Sequence, residues 1–210
     1  MFPKRHIPEV DPDSEIVVID DVLSEGHLAM ILEAVKSTSF PWYFLPNTHT
    51  YLDDERADSF GFIHSLYEPA TFSAEPSNYL NVMSPILYIM LDRTDLQFKN
   101  LLRARVNLSV LAPKQVAGYP HVDHPKGIDY FSGLFYLEDS DGDTCFYDYK
   151  CVEGVVNNPD GKIIKRVEPK RNRGVIFNGH IAHSASLPLV HPTRRVVNFC
   201  FEAFSRGSSF

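Results

Sequence analysis

The stretch Leu101-Leu-Arg-Ala-Arg-Val-Asn-Leu-Ser-Val-Leu111 alternates between apolar and polar residues over most of its length. A period of two is typical of a β-strand, because successive side chains point to opposite faces of the sheet. One face is apolar and carries Leu102, Ala104, Val106, Leu108 and Val110. The other face is polar and carries Arg103, Arg105, Asn107 and Ser109. The stretch therefore predicts a strand with one face on a core and the other on solvent or a cavity.

The residues after this strand predict further strands, and the residues before it predict helices. Short apolar or aromatic runs separated by turn residues continue along the chain, from the aromatic run Tyr130–Leu137 to Arg194–Phe201. Upstream, Ser24 can cap a helix that continues to about Lys36, and a second helix is predicted from Pro76 to about Leu91. Roughly eight short strands at this spacing predict a mainly β fold. We expect a jelly roll (a double-stranded β-helix) with the N-terminal helices packed on one sheet.

The bulk composition limits the classes of protein that the chain can belong to. Its 210 residues, 44% of them hydrophobic, suit one globular domain. We expect residues 1–14 to be a tail and residues 15–210 to form a single domain, with the jelly-roll core at about residues 101–203. A net charge of −7 without a basic block argues against a nucleic-acid partner, and no apolar run is long enough to span a bilayer. Three cysteines without a Cys-x-x-Cys pair predict reduced thiols and a cytoplasmic location.

The triplet His121-Val-Asp123 is the first candidate for chemistry. Side chains at positions i and i+2 of an extended segment point to the same side, so this imidazole and carboxylate can bind one face of a metal ion. Two such ligands plus a second, distant histidine form the facial triad that leaves three coordination sites open on Fe(II). The triplet alone is a weak signal, because short motifs of this kind occur by chance.

A second histidine ligand is expected late in the chain, where Phe177-Asn-Gly-His-Ile-Ala-His183 offers two candidates. His180 follows the turn residues Asn178-Gly179 and is expected in the bend. His183 falls where the chain enters a strand and has small neighbours that would let a metal ion approach. We therefore favour His183 over His180 as the metal ligand. His124 and His191 are further candidates.

The last strand, which begins Thr193-Arg-Arg-Val-Val-Asn-Phe-Cys-Phe201, contains two adjacent arginines. Alternation gives one face the small and polar character of a cavity wall, with Arg194, Val196, Asn198 and Cys200. Arg195 belongs to the opposite face, whose apolar residues predict packing against helices. An arginine can bind a carboxylate through two parallel hydrogen bonds. Arg194 is therefore the preferred anchor for an acidic co-substrate, and Arg195 is the alternative.

Together these residues resemble the Fe(II)- and 2-oxoglutarate-dependent dioxygenases, in particular the prolyl-4-hydroxylase-like branch. The family pattern is His-x-Asp, a distant histidine, and an arginine or lysine about ten residues later on the final strand. His121-Val-Asp123, His183 and Arg194 stand in that order. Asp141-Gly-Asp-Thr-Cys-Phe-Tyr147 is similar to the family's Gly-Gly-x-Thr/Leu-x-Phe segment, with Asp143 in place of the second glycine. The resemblance covers about residues 101–203.

This resemblance implies a mechanism and assigns roles to residues. His121, Asp123 and His183 would hold Fe(II), and 2-oxoglutarate and O2 would be co-substrates, with ascorbate as a candidate further cofactor. Phe135-Tyr-Leu137 is similar to the family strand whose tyrosine binds the far carboxylate of 2-oxoglutarate, so Tyr136 and Arg194 would share that role. The products would be succinate, CO2 and a hydroxylated substrate.

Further expectations concern the substrate and the rival functions. Asp123 favours hydroxylation over halogenation, since related halogenases replace this carboxylate with a small residue. Asn107, on the polar face of its strand, is a candidate cavity residue that would contact the co-substrate. A peptidyl substrate, such as a prolyl residue, and a small molecule both remain open. The alternatives are a cupin-type metal enzyme that does not use 2-oxoglutarate and a non-catalytic jelly-roll binding protein.

Overall fold

The computed structural model describes residue 11 and residues 13–46, 60–69, 75–113, 118–123, 128–151 and 161–205. Two helices lie in this part of the chain, α1 (Glu25–Lys36) and α2 (Leu80–Leu91). The described strands, in chain order, are β1 (Ile16–Ile19), β2 (Tyr43–Leu45), β3 (Gly61–Tyr67), β4 (Leu96–Val110), β5 (Phe131–Tyr136), β6 (Thr144–Lys150), β7 (Ile163–Val167), β8 (Arg173–Asn178), β9 (Ile181–Ala185) and β10 (Thr193–Ser205). The predicted tail falls largely on residues outside these ranges.

The described strands form two antiparallel sheets. The large sheet has the order β1-β8-β5-β10-β4-β3-β2, and the small sheet has the order β7-β6-β9. Strand β10 lies between β4 and β5 and pairs with both. Neighbours in space are therefore mostly distant in sequence, which is typical of a jelly roll rather than of a simple meander.

Each face of the large sheet has its own apolar core. On one face Ala104 and Val106 of β4 pack with Ile31 of α1 and Met83 of α2 in the main cluster of buried residues. On the other face a second cluster joins the large sheet to the small one, with Leu134, Tyr136 and Val196 against Phe146 and Ile181. The fold thus has a helix layer, a large sheet and a small sheet.

These observations confirm the prediction of a mainly β jelly roll with its N-terminal helices on one sheet. The predicted apolar face of β4 faces the helices, as the burial of Ala104 and Val106 indicates. Helix α1 begins where predicted, since the Ser24 hydroxyl accepts a hydrogen bond from the His27 amide at 3.4 Å. The predicted start of α2 at Pro76 is wrong. The Ser77 hydroxyl instead binds the His64 ring and the Tyr79 amide, so the chain turns there and the helix starts at Leu80.

The aromatic segment before β2 packs on the main core. Trp42 packs against the main core and its indole N–H donates to the carbonyl of Val35 at 3.3 Å. Tyr43 is 62% exposed and begins β2, the edge strand of the large sheet. The described helices include none that is long and apolar enough to cross a membrane.

Asn172 joins the β1–α1 connection to the large sheet through hydrogen bonds. Its side-chain oxygen accepts from the Leu23 amide at 2.8 Å, and its side-chain nitrogen donates to the Leu23 carbonyl at 2.8 Å. Its own backbone carbonyl accepts from the Val22 amide at 3.1 Å. A φ of 68° places Asn172 in the left-handed region, which asparagine tolerates better than most residues.

Asn172→Ala is expected to lower the free energy of unfolding by about 2–4 kcal/mol. The substitution leaves two buried backbone groups of Leu23 without their partners, each at a cost of about 1–3 kcal/mol, and puts alanine in a strained conformation. Urea denaturation of the two proteins measures the difference. Asn100→Ala, at an exposed position with one 3.4 Å contact to Glu202, is the control and is expected to change stability by less than about 0.5 kcal/mol. Equal losses in both variants would contradict the role of Asn172.

Candidate active site

His121 and His183 lie directly opposite each other on adjacent extended segments. The amide of each donates to the carbonyl of the other, at 2.9 and 3.0 Å, and this pair forms an isolated antiparallel bridge. Residues that exchange both hydrogen bonds project their side chains to the same face. The two imidazole rings accordingly lie 4.8 Å apart, centroid to centroid. The backbone thus brings together two histidines that are far apart in sequence.

The Asp123 carboxylate lies beside these rings, with Oδ2 at 3.4 Å from Nε2 of His183. Three side chains of the large sheet donate to this carboxylate. Arg103 Nη2 donates to Oδ1 at 2.8 Å, while Ser132 Oγ and Asn198 Nδ2 donate to Oδ2 at 2.9 and 3.2 Å. The carboxylate is therefore fixed from three neighbouring strands, β4, β5 and β10.

The hydrogen bonds of the histidines leave one ring nitrogen of each available. Nδ1 of His121 lies 3.0 Å from the carbonyl of Tyr119, and Nδ1 of His183 lies 3.1 Å from the carbonyl of Ile181. A carbonyl can only accept, so each Nδ1 carries a proton, and Nε2 is the ring nitrogen that is left for a metal ion. Desolvation by the surrounding groups and the neighbouring His183 lower the pKa of His121 to about 4, so this ring is neutral at pH 7 although the residue is partly open to solvent.

Charge around Asp123 favours its ionised form. Burial opposes ionisation, but the Arg103 guanidinium and the His183 ring hold the pKa of the Asp123 carboxyl well below its usual range. One ligand atom from each of His121, Asp123 and His183 can be chosen so that all lie within 4.8 Å of one another. Two neutral imidazoles and one carboxylate are the donor set that suits Fe(II). The three residues therefore fit a divalent iron ion.

Arg194 forms a second polar centre on the same face of β10. Its Nε donates to the carbonyl of Gly142 at 2.7 Å, and its Nη2 donates to the Thr144 hydroxyl at 2.8 Å. The hydroxyls of Tyr136 and Thr144 are 2.7 Å apart, and the guanidinium lies 5.5 Å from the centroid of the Tyr136 ring. The Gly142 position permits this approach, because a Cβ there would meet the Ser186 carbonyl at 2.5 Å and the arginine Cδ at 3.0 Å.

Among the described residues, no carboxylate is in direct contact with the Arg194 guanidinium. The residue is 5% exposed, and the nearby Asp143 carboxylate acts on its charge only from beyond ion-pairing distance. Burial lowers the pKa of Arg194, and the neighbouring Tyr136 and Asp143 oppose this only in part, although an arginine remains charged at neutral pH. A buried charge without a partner costs several kcal/mol. An anionic ligand that pairs with Arg194 would offset this cost.

Arg195 occupies the other face of β10, as the alternation of the sequence predicts. Its Nη1 donates to both carboxylate oxygens of Glu138, at 2.7 and 2.8 Å, and lies 2.9 Å from the Thr193 hydroxyl. The charge on Arg195 is therefore already compensated on the helix side of the sheet.

The structure places the remaining candidates as follows. Asn107 lies opposite Val196, on the same face of the large sheet as Arg194, and is half-buried. His180 lies in the bend before β9, where its ring contacts the carbonyl of Cys151 and the carboxylate of Asp129. His191 is held by Asp141 in the loop before β10. His124 lies outside the described residues.

Sequence reasoning missed the residues that hold the candidate ligands. Arg103 and Asn198 were assigned to polar faces without partners, and Ser132 and Thr144 received no role. The signal was present in part, since the period of two puts Arg103 and Asn198 on the cavity side of their strands. The missing information was the register between strands, which pairs Cys200 with both Arg103 and Ser132 and so aligns these donors beneath Asp123.

Comparison with known proteins identifies the fold. No protein-family model and no curated protein sequence matches the chain. A 2OG-Fe(II) oxygenase-family oxidoreductase from Burkholderia pseudomallei is 13% identical, with a TM-score of 0.61 over 90% of this chain and 86% of the other. A prolyl-4-hydroxylase from Pseudomonas putida is 15% identical, with a TM-score of 0.53 over 91% and 95%. HygX from Streptomyces hygroscopicus, solved with nickel, 2-oxoglutarate and hygromycin B bound, is 13% identical, with a TM-score of 0.56 over 90% and 84%.

The chain therefore has the jelly-roll fold of the 2-oxoglutarate- and Fe(II)-dependent oxygenases. At these identities the likeness establishes the architecture, and function has to be argued from the residues of the site.

Proposed function

We propose that this protein is an Fe(II)- and 2-oxoglutarate-dependent dioxygenase that hydroxylates a peptidyl substrate or a small molecule and releases succinate and CO2. One observation carries the proposal. A buried arginine that lacks a carboxylate partner among the described residues, Arg194, shares a face of β10 with Asn198, which contacts the metal-ligand candidate Asp123. The candidate metal ligands and the candidate anion anchor are thus connected through one face of β10, the face that is turned toward the small sheet.

The side chains of the β10 face suit the two ends of a dicarboxylic acid. Arg194 and Asn198 are four residues apart, roughly 13 Å along a strand, and the buried Val196 lies between them. A diacid placed along this face would meet a cation at one end, an apolar side chain beside its methylene groups and the metal site at the other end. Tyr136 and Thr144 would add hydroxyl donors to the carboxylate that pairs with Arg194.

In the proposed mechanism the residues of the chain bind and orient, and the metal supplies the redox chemistry. His121, Asp123 and His183 would hold Fe(II), which when bound activates O2 for the oxidative decarboxylation of 2-oxoglutarate. The proton on each Nδ1 keeps Nε2 of the two histidines free for the metal. Arg194 and Tyr136 would fix the far carboxylate, and Asn107 is our candidate for a further contact with the co-substrate.

The substrate class stays open within this proposal. The prolyl-4-hydroxylase from Pseudomonas putida and HygX with bound hygromycin B share the fold, so a prolyl side chain and a small molecule such as hygromycin B are starting points for a screen. Three free cysteines fit the cytoplasmic location that we propose.

Purified protein supplied with Fe(II), ascorbate and 2-oxoglutarate is expected to form succinate slowly without added substrate, because iron and co-substrate can react unproductively in such enzymes. Chromatographic quantification of succinate over time measures this activity. Heat-treated protein and protein without iron are the controls and should form none.

Since some enzymes of this class need their substrate before they react, calorimetric titration of the metal-loaded protein with 2-oxoglutarate is the deciding measurement. A protein that binds Fe(II) but not 2-oxoglutarate would contradict the proposal and favour a cupin-type enzyme. A protein that binds neither would favour a non-catalytic jelly roll.

A further inference from the structure

Arg103 donates two hydrogen bonds to Asp123. Its Nη1 donates to the backbone carbonyl of Asp123 at 2.7 Å, and its Nη2 donates to side-chain Oδ1 at 2.8 Å. The same Nη2 lies 3.2 Å from Oδ1 of Asn198. The pair is largely buried, with 14% of the Arg103 side chain and 8% of the Asp123 side chain exposed. A planar guanidinium that binds two oxygens of one residue fixes both the position and the rotation of that residue.

The two oxygens of the Asp123 carboxylate consequently have different surroundings. Oδ1 points to Arg103 on β4, whereas Oδ2 lies on the side of the histidines, 3.4 Å from Nε2 of His183. A carboxylate is able to bind a metal through one oxygen or through both. Binding through both would occupy one more coordination site, and the facial triad needs three open sites for a chelating acid and O2.

We infer that Arg103 is a positioning residue that withholds Oδ1 of Asp123 from the metal and so keeps one coordination site open for O2. This inference rests on the proposed function, because it assumes a metal ion at His121, Asp123 and His183. The role belongs to Arg103 rather than to the other donors, since Ser132 and Asn198 both contact Oδ2.

The test uses nitric oxide as a probe for the open site. Wild-type protein loaded with Fe(II) and 2-oxoglutarate is expected to bind nitric oxide and give the high-spin EPR signal of an iron–nitrosyl complex. Arg103→Met removes both donors while keeping much of the side-chain volume. We expect this variant to retain iron and the visible charge-transfer absorption of bound 2-oxoglutarate, but to bind nitric oxide about 10- to 100-fold more weakly, a range typical of lost outer-shell contacts.

Arg105→Met is the matched control. Arg105 lies two residues further along the same face of β4, but its guanidinium pairs with Glu68, with Nε at 2.9 Å from Oε2. This variant loses a half-buried arginine without altering the contacts of Asp123, and it is expected to bind nitric oxide like the wild type. Should Arg103→Met not fold, Arg103→Lys is the second variant. It keeps the positive charge but cannot donate to both oxygens of Asp123 at once, and its iron–nitrosyl EPR signal is expected to be weaker as well.

The outcomes separate the two proposals. If wild-type protein fails to bind Fe(II) and 2-oxoglutarate, the proposed function falls and the inference falls with it. If wild-type protein binds both, and the folded Arg103 variants bind nitric oxide as tightly as Arg105→Met does, the role of Arg103 is refuted while the proposed function stands.

Discussion

Replacing His183 with alanine is expected to abolish stoichiometric Fe(II) binding, with the affinity lowered by about 100-fold or more. The loss should exceed the 10- to 100-fold range for outer-shell partners, because a direct ligand is removed. His183 is 4% exposed, and its Nε2 lies 3.4 Å from the Asp123 carboxylate. Equilibrium dialysis against Fe(II) under anaerobic conditions, with iron quantified per protein chain, measures the effect.

His180→Ala is the matched control for this experiment. His180 is three residues earlier, and its ring contacts the carbonyl of Cys151 and the carboxylate of Asp129 instead of the metal-ligand candidates. The variant is expected to bind one iron per chain. The opposite pattern, in which His180→Ala loses iron and His183→Ala keeps it, would assign the ligand to His180.

Replacing Arg194 with alanine is expected to raise the apparent KM for 2-oxoglutarate by about 30-fold to several thousand-fold. Removing one partner of a buried charge pair costs about 2–5 kcal/mol, and each 1.4 kcal/mol is a factor of about ten in affinity. The effect should be concentrated in KM, because Arg194 contacts Gly142 and Thr144 rather than the metal-ligand candidates. Succinate formation measured over a range of 2-oxoglutarate concentrations gives both constants, and Fe(II) binding should be unchanged.

Arg195→Ala is the control that tests the register of β10. Its guanidinium is bound to Glu138 on the helix side of the sheet, so its loss is expected to reduce stability but to change the KM by less than about threefold. Equal changes in KM for the two variants would show that neither arginine alone anchors the co-substrate and would remove the main support for the proposed function.

Much of the architecture was predictable because it depends on local patterns. The alternation in β4 predicts which side chains face the helices, and the alternation in β10 separates Arg194 from Arg195. The start of α2 was not predictable in this way, because it depends on the contact between Ser77 and His64, two residues on different elements. Proline at a first helical turn is a statistical preference, and a tertiary hydrogen bond outweighed it here.

The candidate site was predictable only for the residues that follow a family pattern. His121, Asp123, His183 and Arg194 were chosen from the order and type of residues, and the structure brings the first three together. The partners of Asp123 could not be chosen, because three strands contribute them and the sequence does not specify how those strands align. Arg103 illustrates this limit, since nothing near position 103 in the sequence indicates that its charge meets a carboxylate from another segment.

The bridge between His121 and His183 has a mechanical consequence. Within the described residues, backbone hydrogen bonds join the segment Gly118–Asp123 to β9 at two places, at the bridge itself and where the Gly118 amide donates to the Ala185 carbonyl. A cation shared by side chains on both segments would be a cross-link between the sheet and a stretch of chain that has little secondary structure of its own. Metal binding would then restrain this segment in the way that a disulfide restrains a loop. The stability of the segment would depend on the same ion as the proposed chemistry.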